Sequence, residues 1–145
     1  MSRPDPLVAV AWLLVASLPG GCIASNVVAP RDRMVAAPDL DALPFVAAPE
    51  LVLDGLYESV DLRGDAAQSL RRIYYHFAAD GTYTAAALTE RDGDLFFQSL
   101  RGTWRNSPDG LSLDGADPVR IERADDYVRL TAPTGTLVLQ RQPWR

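Results

Sequence analysis

LRRIYYHF at residues 70–77, AADG at 78–81 and TYTAAAL at 82–88 decide the fold. In the first run Ile73, Tyr75 and Phe77 alternate with Arg72, Tyr74 and His76. That period of two belongs to a strand with one buried and one wet face. Asp80-Gly81 then supplies turn chemistry, because glycine takes positive φ without a Cβ penalty and aspartate tolerates such turns. The second run resumes in β-forming residues, so the whole stretch reads as a hairpin.

Outward from this hairpin the same rhythm continues. Residues 55–62 read as a strand before it, and 95–105, 111–113, 119–122, 127–131 and 136–140 as strands after it. Asp92-Gly93, Asp109-Gly110, Asp114-Gly115 and Thr134-Gly135 punctuate them. About eight short strands at even spacing indicate an all-β domain. The expected form is a small antiparallel up-and-down barrel, with a β-sandwich as the alternative. Val119 and Ile121, Val128 and Leu130, and Leu137 and Leu139 mark inward faces, with Val138 and Gln140 expected on the wet side. The strand at 95–105 leaves its faces open: Phe96, Gln98, Leu100 and Trp104 share one, while Leu95 and Phe97 point the other way.

Gly55-Leu56-Tyr57, Phe77-Ala78-Ala79-Asp80-Gly81-Thr82-Tyr83, Gly102-Thr103-Trp104-Arg105, Leu111-Ser112-Leu113 and Leu137-Val138-Leu139 follow one another in order. This series resembles the small lipocalin-like domains of bacterial secreted lipoproteins, over roughly residues 53–141. The resemblance implies a calycin-type barrel and brings no catalytic residue with it.

The N-terminal third has a different composition. Arg3 and the amino terminus precede an uncharged apolar run at 7–18. As a helix that run reaches roughly 18 Å, short of the ~30 Å hydrocarbon core, which suits a signal segment better than a membrane span. Pro19, Gly20, Gly21 and Cys22 follow. Apolar run, small residues and then cysteine resembles a bacterial lipoprotein signal, which implies lipidation of Cys22 and a membrane anchor. The alternative is cleavage elsewhere and an incidental thiol. Ile23 after the cysteine, where the family's inner-membrane retention signal has Asp, implies the outer membrane or its periplasmic face. Pro30, Pro38, Pro44 and Pro49 then interrupt any period. The expected organisation is a signal peptide at 1–21, a lipidated cysteine and Pro/Ala-rich tether at 22–53, and a barrel at 54–142. Docking of Leu43-Pro44-Phe45-Val46 on the domain as an apolar strap is the competing reading of the tether's end.

Chemistry is sparse. The chain carries nineteen acidic and fourteen basic residues, every basic one arginine, and this balance disfavours nucleic-acid binding. With one cysteine, no internal disulfide can form. His76 stands alone without a Gly-x-Ser-x-Gly elbow, so it reads as a surface strand residue before it reads as a general base. Asp109, Asp114 and Asp117 lack the spacing of a calcium loop and read as turn formers. Glu58 shares a strand face with Leu56, Val60 and Leu62; buried, it would need an arginine or a hydrogen-bonding ligand, and the other reading is a rim position or a bulge. No cofactor, metal or enzymatic activity is expected. The expected function is a lipid-anchored envelope module, a packed barrel serving a structural or protein-interaction role. Carriage of a small apolar ligand is the alternative, and a hydrolytic enzyme ranks third. Were the interior open, Tyr75, Tyr83, Phe96, Gln98 and Trp104 would line it.

Overall fold

The computed structural model describes residues 38–143; the expected signal segment and Cys22 lie outside the described residues. Nine strands follow a short 3-10 turn at Leu40–Ala42: β1 Val46–Ala47, β2 Gly55–Gly64, β3 Leu70–Phe77, β4 Thr82–Arg91, β5 Asp94–Ser107, β6 Gly110–Leu113, β7 Arg120–Ala124, β8 Tyr127–Ala132 and β9 Gly135–Arg141. Their order is β1-β7-β8-β9-β2-β3-β4-β5-β6, and every pairing is antiparallel. The sheet curls strongly into a half-barrel. β9 returns beside β2 over seven residue pairs, from Tyr57 with Arg141 to Gly64 with Gly135. β6 meets the residue before β7 where Leu111 and Val119 exchange backbone hydrogen bonds of 2.9 and 2.8 Å, and the Asn106 side chain of β5 donates to the Leu51 carbonyl.

Alternation places the core on the concave face. Ile73, Tyr75 and Phe77 from β3 meet Tyr57, Tyr83, Ala85, Ala87, Leu111, Ile121, Val128, Leu130, Leu137 and Leu139 there. Aromatic rings dominate one end: Tyr75 stacks on Phe77 at 5.2 Å, and Tyr57 and Trp104 meet Phe77 edge-on at 5.7 and 6.1 Å. A bulge in β2 between Ser59 and Asp61 resets its faces. Leu56, Glu58 and Val60 point outward, and Leu62 turns in to pack against the core. The Ser59 hydroxyl accepts the Ile73 N–H at 2.9 Å, replacing a ladder bond at the irregularity.

Two expectations change. Residues 38–53 of the expected tether lie against the domain, as the strap reading has it. Val46 and Ala47 pair with Arg123 and Glu122 of β7, and the Ala48 N–H donates to the Ile121 carbonyl at 3.0 Å. Phe45 lies beneath the Arg129 guanidinium at 4.1 Å, and Leu53 is wholly buried. Val138 is also buried, although it shares the outer face with Arg129. The strap accounts for this, because Leu40 and Asp41 stand over the same face. The missing period of 38–53 reflects a segment held by the edge of β7 only at residues 46–48 and by short local turns at Ala42, Phe45 and Leu51.

Candidate functional site

The fold leaves three places where side chains of interest converge: the aromatic end of the interior, a charged groove on the outer face, and the free edge of β5.

The interior end is assembled from the sequence series noted above. Trp104 N–H donates to the Gly81 carbonyl at 2.8 Å, and its indole Nε1 donates to the Ala78 carbonyl at 2.9 Å. Both bonds clamp the β3–β4 turn, whose Asp80 carboxylate in turn accepts from the Thr82 N–H and hydroxyl at 2.9 and 2.7 Å. Asp114 reaches back over β5: Oδ1 accepts from the Thr103 N–H at 2.9 Å and Oδ2 from the Tyr83 hydroxyl at 2.6 Å. Burial, and then the Asp114 carboxylate, push the Tyr83 phenol far above its ordinary range. Burial does the same to Tyr75. Gly102 is required by this network. A Cβ there would stand 2.0 Å from Asp114 Oδ1 and 2.7 Å from the Tyr83 ring.

The five expected lining residues therefore share the inner face. Tyr75 and Tyr83 are buried among core side chains and Trp104 is half-buried against them. Gln98 lies opposite Ala87 and Phe96 opposite Thr89, toward the hairpin tip, where Phe96 is exposed and the Arg91 guanidinium approaches its ring at 5.7 Å. The apolar recess that includes Tyr75, lined also by Leu62, Leu70 and Leu137, holds only about 10 Å³. A volume of that order is about one water molecule, well short of a ligand pocket of roughly 300–1,000 Å³.

On the outer face a groove of about 300 Å³ is lined by Asp41, Asp61, Arg63, Arg120, Glu122 and Arg129. Its charges are paired with one another. Glu122 accepts from Arg129 Nε at 2.7 Å and from Arg120 Nη2 at 2.9 Å, while Arg63 bridges Asp61 at 2.7 Å and Asp41 at 2.9 Å. The Arg129 hydrogen bond foremost holds the Glu122 carboxyl below its usual range. The arrangement fastens strap to sheet. Glu58, the acid noted in the sequence, is half-buried and takes Arg72 Nη1 and the Tyr74 hydroxyl, each at 3.1 Å. His76 sits on the same outer face, between Leu56 of β2 and Thr84 of β4. Among the described residues no group of three or more His, Cys, Asp or Glu side chains could hold a metal ion, and no helix is long and apolar enough to cross a membrane.

Comparison with protein-family models, with curated proteins and with solved structures finds no match.

The β4–β5 hairpin supplies the third place. Leu95 and Phe97 are 62% and 72% exposed on the outer face of β5. β6 pairs with β5 only from Trp104 onward, so the tip has β4 on one side and no strand on the other among the described residues. Leu88 and Ala86 lie directly across from Phe97 and Ser99 and extend the apolar surface. Sequence reading found these residues without finding their setting. Alternation cannot separate Phe96 from Phe97 when the strand runs past the core that would sort them. The Asp114 contacts were also missed, since they reach residues 11 and 31 positions away, and so were the Glu122 ion pairs, local in sequence but on a face that alternation marks only as wet.

Proposed function

We propose that this chain is a lipid-anchored module of the bacterial cell envelope that docks a protein on the outer face and edge of its β4–β5 hairpin. The barrel interior serves as its structural core. The observation that carries this reading is the pairing of a filled interior with an apolar, unpaired strand tip at Leu95 and Phe97. Exposed apolar surface beside free backbone groups is a recurrent feature of strand-addition interfaces. The order of apolar run, Pro19-Gly20-Gly21 and Cys22 supports anchoring, and the in-order series from Gly55 to Leu139 supports a lipocalin-like barrel as the anchored domain. No catalytic step belongs to this reading.

Native mass spectrometry of the full chain, released in mild detergent from the cells that make it, tests the proposal. The expected retained mass is a polypeptide, lost on Phe97→Asp. A retained small apolar molecule, unaffected by Phe97→Asp and displaced by substitution of Tyr75 or Gln98, would overturn it in favour of carriage. For the anchor, Cys22→Ser is expected to move the chain from the detergent phase to the aqueous phase; unchanged partitioning would remove the lipid.

A further inference from the structure

β5 outruns its neighbours in a way that fixes which of its backbone groups are unused. Thr103 is occupied on the far side from β4: its N–H donates to Asp114 Oδ1 at 2.9 Å and its carbonyl accepts the Asp114 N–H at 2.8 Å. The free edge is therefore residues 94–102. The hairpin closes on Arg91 and Asp94 across Asp92 and Gly93, whose φ values of 55° and 87° make the turn of a two-residue loop. Arg91 and Asp94 are then a hydrogen-bonded pair, and such pairs recur at every second residue. It follows that Leu95, Phe97, Ser99 and Arg101 turn their N–H and carbonyl groups away from β4. The parity is confirmed at the far end, where Trp104 bonds back to Gly81 beside β4 and Thr103 bonds outward to Asp114. Each of those four residues offers one donor and one acceptor. Natural edges of this kind are blunted by proline, lysine or inward-pointing charge. This stretch has no proline or lysine, and it exposes Leu95 and Phe97.

We propose that a second copy of this chain covers the edge, β5 pairing antiparallel with its counterpart about a two-fold axis at Gln98. This rests on the reading of the β5 edge as a protein-docking surface and names its partner. Three features make the strand complementary to itself. Gln98 is the midpoint of 94–102, so the register centred there uses the whole free stretch. In it Leu95 faces Arg101 and Phe97 faces Ser99 of the other copy, all residues whose backbone groups point to the edge. Phe96 faces Leu100, and Gln98 faces Gln98, in the non-hydrogen-bonded positions where side chains come closest. Secondly, Gln98 Oε1 is buried and has no hydrogen-bond partner. On the axis, each Gln98 amide can donate to the other's oxygen. Thirdly, Arg101 forms no ion pair among the described residues, and neither do Asp92 and Asp94. The antiparallel register sets Arg101 of one copy opposite Leu95, next along the ladder to the acidic turn of the other; Asp94 itself alternates to the inner face, so the attraction is between neighbouring positions and not a direct pair. Length, apolar order and charge thus agree on one isologous contact.

The test uses the full chain in mild detergent. Directly opposed non-hydrogen-bonded residues have Cα atoms about 4.5 Å apart, within the span of a disulfide. Gln98→Cys is therefore expected to form a dimer linked 98 to 98 on mild oxidation, identified by peptide mapping. Thr84→Cys, exposed one strand inward, is expected to link at least about tenfold more slowly. Sedimentation of the unaltered chain, which needs no variant, is expected to show a monomer–dimer equilibrium that Phe97→Asp and Arg101→Glu each weaken by about tenfold or more. A monomer at every concentration up to roughly 100 µM, or equal linking of residues 98 and 84, would overturn self-pairing. In that event the docking reading stands only if Phe97→Asp still removes a protein retained from cells; if it does not, both fall.

Discussion

Trp104 closes the aromatic end of the interior through two hydrogen bonds and an edge contact, so its parts can be separated by substitution. Trp104→Ala removes the ring from a half-buried site and is expected to cost about 3 kcal/mol in denaturant melts. Trp104→Phe keeps an apolar ring near Phe77 but leaves the Ala78 carbonyl without its donor, an expected loss of about 1–2 kcal/mol. Equal losses would mean that the hydrogen bond, and not the packing, matters. Its neighbour Gly102 is legible from sequence as part of a Gly-x-Trp pair, yet the reason for the glycine is not. That reason is the Asp114 carboxylate, eleven residues downstream of Thr103, crossing over its α-carbon. Glu122 gives a second expectation at this scale. Its folded-state acidity is strengthened by Arg129 and Arg120, so the carboxylate's contribution is full at neutral pH and above the ordinary value of 4.5. It is lost as pH falls below that value and through the folded-state one. Acid titration of stability is expected to flatten in this range for Glu122→Gln; an unchanged acid limb would show that the ion pairs contribute nothing.

Among the elements, β1 is the smallest and the least legible. Two residues between prolines have no period, and the pairing that makes them a strand resides in β7. The eight longer strands were legible because alternation and Asp-Gly turns are local signals. Their ends shifted by three residues at most, outward in β4, expected at 82–88 and found to Arg91, and inward at the start of β7, expected at 119 and found at Arg120. What alternation could not supply was the bulge between Ser59 and Asp61, which puts Leu62 on the opposite face from Leu56. Removing residues 38–47 is expected to strip the edge of β7, uncover Val138 and Glu122, and lower stability by about 2–4 kcal/mol. Amide exchange at Glu122 and Arg123 should rise with it. A truncated chain of unaltered stability would make the strap a passenger on the domain.

For the whole molecule, the ladder between β2 and β9 is the longest-range join in the fold, tying residues 55–64 to 135–141. The strap adds another, from Val46 to Arg123. Non-local pairing of this kind slows folding, because loop closure must precede any reward from contacts. It also sets an order in time. The strap must wait for β7 and one edge of β2 for β9, while the other edge of β2 pairs with β3 as soon as both exist. Before β9 pairs, β2 to β6 can form a meander of consecutive hairpins and β7 with β8 a separate hairpin. A chain cut short before β9 therefore keeps the pairings within each half but lacks the one strand that joins β8 to β2.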